Sequence, residues 1–328
     1  MKGHALKSVA LLFGLTLISV LPMKDAFADT VKIAFSTWVG YGPLYIAADQ
    51  GYFKKNGVDV ELVKMEDPKE RFPTLMADRI QMIASTVDTA LLYMKTPTDF
   101  QYVVAIDDSD GGDGIVAKKD ITSIADLKGK KVAVNKGSVS EFYLNALLDK
   151  ADLKESDLNV VNMTAADAGS AFVTERVDAA VTWEPWLSRG KTTSFGHLLT
   201  DSSKTPGLIT DVLIAKSDWI KAHPQEVAAI VKSWEEAVAF YEQHPDEAIP
   251  MMAKGVGGWL KDPKDFKDTL SGIKFYDADA NKKFFGTEQN PGPLENTIKQ
   301  AIGIWGAQDK LQVKPDPMQM INFSFVNR

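Results

Sequence analysis

The alternation of short apolar strands with helical stretches, which begins at residue 31, is the feature that most constrains the fold. Residues 31–35 predict a strand, and Pro43 is placed early in a helix over 42–48, where its missing N–H costs nothing. The same pattern predicts strands at 58–63, 81–85 and 102–106, and helices at 70–77 and 90–93. This order favours an α/β fold with a largely parallel sheet covered on both faces.

The pattern starts again in the second half of the chain. Ser123 opens a predicted helical turn, and the other predicted elements are strands at 115–117, 131–135, 159–163 and 179–183 and helices at 140–151 and 165–175. An apolar run at 212–215 is similar to the one at 115–117, and Lys follows both. We expect these two runs to be crossings between two lobes, with a hinge at 114–118 and 210–215.

The rest of the chain, residues 216–328, is predicted to be mostly helical. Pro224 and Pro245 each precede two polar or acidic residues, which is typical of a helix start because acidic side chains suit the positive end of the helix dipole.

The first 28 residues have the pattern of a secretory signal peptide. Positive charges in 1–7 precede a short apolar run at 8–22, and the small residues of Ala26-Phe27-Ala28 follow. We therefore expect cleavage near Ala28 and a periplasmic mature protein. The chain has no cysteine, so we expect neither a lipid anchor nor disulfides.

Composition narrows the class of protein. Hydrophobic residues make up 45% of the 328 residues, which permits a large core without disulfides. A net charge of −7 argues against nucleic acid or an anionic membrane surface as a partner. Apart from the run at 8–22, which is too short to span a membrane, the chain has no run of 18 apolar residues, so we do not expect a protein integral to a membrane. The signal pattern, the missing cysteines and the net acidic charge lead us to expect a monomer.

Five segments together resemble a known protein family: STWVGYGPLYIA at 36–47, GYFKKNGVDV at 51–60, DDSDGGDGIVA at 107–117, LKGKKVAV at 127–134 and TWEPW at 182–186. They resemble the solute-binding proteins of ABC importers in the nitrate/sulfonate/taurine group, and most closely the branch associated with urea or guanidine carboxylase.

This resemblance implies a type II-like periplasmic binding protein fold, with two lobes, two hinge crossings and a ligand held between the lobes. The expected division is a signal peptide at 1–28, lobe 1 at 29–113 and 211–328, and lobe 2 at 114–210. The implied partners are a small-molecule ligand and the permease subunits of an ABC importer.

Candidate ligand-binding residues follow predicted strands, because ligands of open α/β sheets bind beyond the carboxyl ends of the strands. The set is Thr37, Trp38, Tyr41, Thr86, Asp88, Asp107, Asp108, Ser138, Ser140, Trp183, Glu184 and Trp186. The resemblance points in particular to the positions of Thr37-Trp38, Asp107 and residues 183–186.

Several of these residues have structural alternatives. Asp107 either bonds ligand or caps a turn, and Glu184 either touches ligand or supplies charge at the start of the helix opened by Pro185. Ser138 and Ser140 either form an anion site or cap a helix, and each tryptophan could be a core residue. Asp113 is as suited to stabilising the hinge as to contacting ligand.

Carboxylates beside aromatic faces suit a flat cation, so a guanidinium-, urea- or amine-bearing solute is the expected ligand. A taurine-like zwitterion, another sulfonate or nitrate is the alternative. No histidine cluster, nucleophile elbow or phosphate loop is present, so we expect neither an enzyme nor a cofactor. A pyrimidine-synthase-like enzyme and a sensor subunit remain the alternatives from other classes.

Overall fold

The computed structural model describes residues 30–328, apart from the side chain of Trp259, so the predicted signal peptide lies outside the described residues. The described chain has mixed α/β secondary structure, as predicted. Its strands are β1 Val31–Phe35, β2 Val60–Lys64, β3 Met82–Thr86, β4 Phe100–Ser109, β5 Asp113–Lys118, β6 Lys131–Val134, β7 Asn159–Asn162, β8 Ala179–Trp183, β9 Gly196–Asp201, β10 Thr210–Lys216 and β11 Ile273–Phe275.

Helices separate most of these strands and make up most of the last hundred residues. They are α1 Gly42–Asp49, α2 Tyr52–Lys55, α3 Pro68–Met76, α4 Val87–Tyr93, α5 Val139–Lys150, α6 Ala165–Val173, α7 Trp186–Lys191, α8 Ser217–Ala222, α9 Pro224–Gln243, α10 Pro245–Val256, α11 Pro263–Thr269, α12 Ala278–Phe285, α13 Pro293–Ala307 and α14 Pro317–Met320. The predicted helix starts at Pro224 and Pro245 and the turn capped by Ser123 are confirmed.

The strands form two sheets. The first has the order β11-β4-β10-β3-β1-β2, and the second has the order β7-β6-β8-β5-β9. In the first sheet β1 is parallel to β2 and β3, whereas β10 is antiparallel to β3 and β4, and β11 is antiparallel to β4. In the second sheet β6 is parallel to β7 and β8, whereas β5 is antiparallel to β8 and β9.

The expectation of a largely parallel sheet is therefore wrong, because both sheets are mixed. β10 joins the first sheet after the second sheet is complete, and β5 begins the second sheet directly after β4. Both run against their neighbours. Short strands β9 and β11 were not predicted from the pattern either.

The crossings lie just before the two strands that were expected to contain them. Residues 114–118 belong to β5 in the second sheet, and residues 210–215 belong to β10 in the first. The chain passes between the sheets through 110–112 and returns through 202–209. The division into two lobes at 113/114 and 210/211 stays a prediction.

A serine pair ties the two crossings together. The hydroxyls of Ser109 and Ser202 lie 2.8 Å apart, and the Ser202 hydroxyl accepts the N–H of Gly111 at 2.7 Å. The N–H of Asp113 donates to Ser109 Oγ at 2.9 Å. Both serines are buried, and their hydroxyls satisfy the N–H groups of buried Asp113 and half-buried Gly111.

The large hydrophobic core runs through both sheets and the helices that cover them. Its largest fully buried side chains include Trp234 on α9 and Trp305 on α13. Among residues 30–328, no helix is both long and apolar enough to cross a membrane.

We expect Ser202→Ala to lower the free energy of unfolding by about 1–3 kcal/mol, because it removes the hydrogen-bond partner of the buried Ser109 hydroxyl and of the half-buried Gly111 N–H. Urea unfolding followed by circular dichroism measures this change. Ser203→Ala is the matched control, because Ser203 is exposed in the same segment, and its effect should stay within about 0.5 kcal/mol. Equal effects of the two substitutions would contradict the assigned role of the serine pair.

Candidate functional site

A cavity of about 30 Å³ lies between the strand ends of the two sheets. Its walls come from the ends of β1, β3 and β8, from the starts of β5, β10 and α5, and from α3. The lining residues are Ser36, Trp38, Tyr41, Pro68, Arg71, Ser85, Thr86, Thr89, Asp113, Ser138, Val139, Trp183 and Asp211. Its place agrees with the rule that ligands of α/β sheets bind beyond the strand ends. We call this cavity the cleft.

Arg71 is the cation of the cleft. It is 3% exposed, and its Nη1 donates to the carbonyl of Met65 at 2.8 Å. Its Nε has no hydrogen-bond partner among the described residues. Burial lowers the pKa of Arg71, and the nearby Tyr41 and Glu66 act in the opposite direction. A buried guanidinium with a free N–H is a donor available to an anionic group.

Sequence reasoning missed Arg71, although a signal for it was present. Helix α3 buries Pro68, Phe72 and Leu75 together with Arg71, and these positions follow the three- and four-residue spacing of one helix face. An arginine on the apolar face of a short helix is unusual, because a buried charge needs partners. A helical-wheel analysis of 68–76 would have singled it out.

Asp211 and Tyr41 form the wall beside Arg71. The Tyr41 hydroxyl donates to the Asp211 carboxyl group. Burial, with the nearby Asp113 charge, raises the pKa of Asp211 to about 8 despite the Tyr41 bond, so the carboxyl is mostly neutral at pH 7. Burial and the Asp211 charge likewise raise the pKa of Tyr41. Asp211 was not predicted as a site residue because the run from 210 was assigned to the hinge.

Asp113 is the second lining carboxyl. It is 5% exposed at the start of β5, and burial raises its pKa to about 7. The charges that act most strongly on Asp113 are Asp88 and Glu184, whereas those acting on Arg71 include Glu66. Asp211 interacts electrostatically with both Asp113 and Arg71. Arg71 lines the cleft from α3, which packs on β3 and β10 of the first sheet, and Asp113 lines it from β5 of the second sheet. We call these two parts of the wall the Arg71 end and the Asp113 end.

Two tryptophans, one after β1 of the first sheet and one in β8 of the second, line the cleft. Trp38, which follows β1, donates its Nε1–H to Asp107 at 3.2 Å. Trp183, at the end of β8, donates its Nε1–H to the Thr37 carbonyl at 2.9 Å, which links the two sheets directly. Both are buried, so their rings form apolar walls of the cleft.

The start of α5 supplies the remaining wall. Ser138 caps the helix: its Oγ accepts the Ser140 N–H at 3.2 Å and donates to the Asn135 carbonyl at 2.8 Å. The predicted capping role is therefore present, and Ser138 also lines the cleft. The Tyr93 hydroxyl donates to the Gly137 carbonyl at 2.9 Å and joins α4 to this loop.

Five of the residues predicted from the sequence come together in the cleft, and seven do not. The five are Trp38, Tyr41, Thr86, Ser138 and Trp183. The seven outside the lining are Thr37, Asp88, Asp107, Asp108, Ser140, Glu184 and Trp186. Direct ligand contact by any of the twelve stays a prediction.

Three of the seven, Asp107, Asp108 and Glu184, accept hydrogen bonds from protein groups and do not line the cleft. Asp107, fully buried, accepts the Trp38 indole N–H and so lies behind that ring. Asp108 accepts from the Thr210 hydroxyl and from the Tyr276 hydroxyl, on the other side of β4. Glu184 accepts the Ser188 N–H at 2.9 Å and the Ser188 hydroxyl at 2.6 Å. Its carboxylate therefore lies at the start of α7, which is the structural role that the sequence offered as the alternative to ligand contact.

The other four support the walls or pack behind them. Thr37 bonds Glu66 through its N–H and its hydroxyl. Asp88 accepts the Thr89 hydroxyl at 3.2 Å, and burial raises its pKa to about 7. Ser140 is buried within α5, and Trp186 packs against α6, where a Cβ at Gly169 would lie 2.8 Å from the Trp186 Cβ.

The raised pKa of Asp211 predicts a pH-dependent stability. The folded state keeps this proton up to about pH 8, whereas the unfolded chain releases it near pH 4. The folded state therefore holds more protons between these values, and the contribution of Asp211 to stability falls as pH rises through that window. Asp211→Asn has no such proton to lose. Its free energy of unfolding, relative to the wild type, should increase from about pH 5 to about pH 8.5.

Urea unfolding of both proteins at the two pH values checks this. Asp126→Asn is the control: Asp126 is exposed, and hydrogen bonds from Thr122 and Ser123 lower its pKa, so its difference from the wild type should not change over that range. Parallel pH curves for Asp211→Asn and the wild type would contradict the assignment.

Comparisons with known proteins are consistent with this architecture. A putative aliphatic sulfonates-binding protein from Bacillus subtilis is 28% identical over 64% of this chain, and the match spans 65% of that protein, just under two thirds of its length. The taurine-binding periplasmic protein of Escherichia coli is 24% identical over 88% of each chain.

A solved structure shows the same fold. The periplasmic aliphatic sulphonate binding protein SsuA from Escherichia coli superposes with a TM-score of 0.71 at 19% identity, covering 92% of this chain and all of that one. The chain therefore has the periplasmic binding protein fold that was predicted. Residues 38–248 match the family described as NMT1/THI5 like, and because this match covers more than half of the sequence, the chain belongs to that family.

Proposed function

We propose that this protein is a periplasmic solute-binding receptor that captures a small sulfonate bearing an amine and delivers it to the permease of an ABC importer. The predicted signal peptide, the fold and the names of the two relatives support the receptor class. The ligand class rests on the cleft itself.

The observation that carries the proposal is the free N–H of buried Arg71 in the cleft wall. Leaving a guanidinium nitrogen buried and unbonded costs free energy, and an oxyanion in the cleft would remove that cost. Ser138 and Val139 at the start of α5 line the same cavity, and the positive end of a helix dipole favours an anion.

The opposite end of the cleft suits an amine. Asp113 ionises near pH 7, and an ammonium group beside it would favour the ionised form. Trp38 and Trp183 add aromatic faces, which attract cations. A ligand with a sulfonate at the Arg71 end and an ammonium at the Asp113 end would satisfy both groups. Taurine is the simplest compound of this kind.

The expectation of a guanidinium- or urea-type ligand is weaker on this geometry. Arg71 would repel a guanidinium ion in the same cavity, and neutral urea would leave the Arg71 charge without a partner. Nitrate would satisfy Arg71 but leave Asp113 without a cation. Guanidinium, urea and nitrate therefore remain ligands to be tested beside taurine.

We also propose that ligand binding closes two lobes, divided as the sequence predicted. The cleft of about 30 Å³ has room for about two water molecules, so a taurine-sized ligand enters only if the walls separate. The Trp183–Thr37 and Tyr93–Gly137 hydrogen bonds would then form on closure. A sensor subunit would use the same closure, and neighbouring genes for a permease and an ATPase would separate the two roles.

Arg71→Met should weaken taurine binding by about 10- to 150-fold, the range for loss of a charge-assisted hydrogen bond. Calorimetric titration measures the dissociation constant, and a melting curve shows whether the fold survives. Arg79→Met is the matched control because Arg79 is exposed just after α3, and its affinity should stay within about twofold of the wild type. Unchanged taurine affinity in Arg71→Met would refute the role of Arg71.

Asp113→Asn should weaken taurine binding by about tenfold or more and should leave binding of ethanesulfonate, which has no amine, nearly unchanged. Asp107→Asn is the paired control: this equally buried carboxyl lies behind Trp38, and the amide oxygen can still accept the indole N–H. If Asp107→Asn weakens taurine binding and Asp113→Asn does not, direct contact by Asp107, as predicted from the sequence, is favoured over contact by Asp113. A guanidinium titration of the wild type tests the alternative ligand class.

A further inference from the structure

A second cavity, much larger than the cleft, lies between α5 and α13. Its volume is about 490 Å³, against about 30 Å³ for the cleft. The segment 204–208, which leads back to the first sheet, forms its third side. None of the residues lining the cleft lines this cavity. We call it the rear wedge.

The rear wedge contains a buried polar group that the fold does not use. Asn145 of α5 lines it and is 2% exposed, yet its side-chain nitrogen has no hydrogen-bond partner among the described residues. Buried amides in folded proteins are nearly always bonded, so an unbonded one that borders a cavity indicates a missing partner. That partner must offer an acceptor oxygen.

The remaining walls combine an apolar surface with a cationic rim. Leu208 and Ile304 supply the apolar side chains, and Lys150 and Lys204 lie at the rim. Neither lysine has an ion-pair partner within 4.0 Å in the part of the chain described here, and Asp149 is the one acidic residue of the lining. The rim therefore has a net positive charge, which favours an anionic head group.

We infer that the rear wedge is a second binding site, for a small amphipathic anion with an aliphatic body. Its carboxylate or sulfonate oxygens would accept hydrogen bonds from Asn145 and the two lysines, and its chain would cover Leu208 and Ile304. Volume, an unbonded buried amide and charge all favour this class of ligand. The site is separate from the cleft.

Hexanoate is a suitable probe because it has one anionic head, a short aliphatic chain and no amine for Asp113. Calorimetric titration of the full protein should show one hexanoate bound at concentrations up to about 10 mM. Taurine at saturation, or Arg71→Met, should leave this binding in place, since both act on the cleft. Loss of hexanoate binding in Arg71→Met would assign the probe to the cleft and overturn the inference.

Gly303 allows the rear wedge to be filled from within. A Cβ at Gly303 would meet no atom within 4 Å, and Gly303 lines the wedge, so Gly303→Phe should place its ring there. Helix α13 tolerates the change because glycine is a poor helix residue. We expect hexanoate affinity to fall by about tenfold or more, with taurine affinity unchanged.

Gly306→Phe is the matched control. Gly306 lies one turn further along α13, also has open space for a Cβ, and does not line the rear wedge. Its hexanoate affinity should stay within about twofold of the wild type. The double variant Lys150→Gln and Lys204→Gln should bind hexanoate more weakly than the wild type does. Hexanamide, which has no charge, should bind the wild type more weakly than hexanoate does. No hexanoate binding to the wild type, or equal binding by Gly303→Phe and Gly306→Phe, would refute the site.

Discussion

The arrangement of the cleft depends on one cation that the fold removes from water. Arg71 is on the buried face of α3, and among residues 30–328 the Met65 carbonyl alone accepts a hydrogen bond from its guanidinium. Taking such a group out of water is costly unless charges and hydrogen bonds offset the loss. Asp211 cannot offset it fully, because its own burial keeps its proton near neutral pH. The loss of hydration that these groups do not offset is the physical basis of the proposal that the cleft binds an anion.

The presence of Arg71 and Asp113 in one cavity follows from how the two sheets are joined. The Ser109–Ser202 pair holds the two crossings side by side, and Asp113 begins β5 directly after that junction. Asp211 is the second residue of β10, directly after the return crossing. Both lining carboxyls are therefore placed by the crossings, and the arginine is placed by a helix of the first sheet. The junction thus joins the segments that lead into both carboxyl-bearing strands.

Sequence patterns predicted the local elements well and the site only in part. The strand at 179–183 and the helices beginning at Pro224 and Pro245 are confirmed, because apolar alternation and proline positions act within a few residues. Trp38 and Trp183 were found from the strand-end rule and do line the cleft. Asp107 and Asp108 also lie near a strand end, yet they face Trp38 and Tyr276, and no local pattern distinguishes one face of β4 from the other.

The sequence by itself determined the α/β class, the helical final third and a region of strand ends rich in carboxylates and tryptophans. Periodicity and turn residues carry that information, since they depend on near neighbours. Only the tertiary structure decided that both sheets are mixed and that Arg71 and Asp211 line one cavity. Residues 71 and 211 are 140 positions apart, and their distance depends on how the crossings pair β10 with β3 and β4. The burial that changes their pKa values exists only after the sheets and helices have packed.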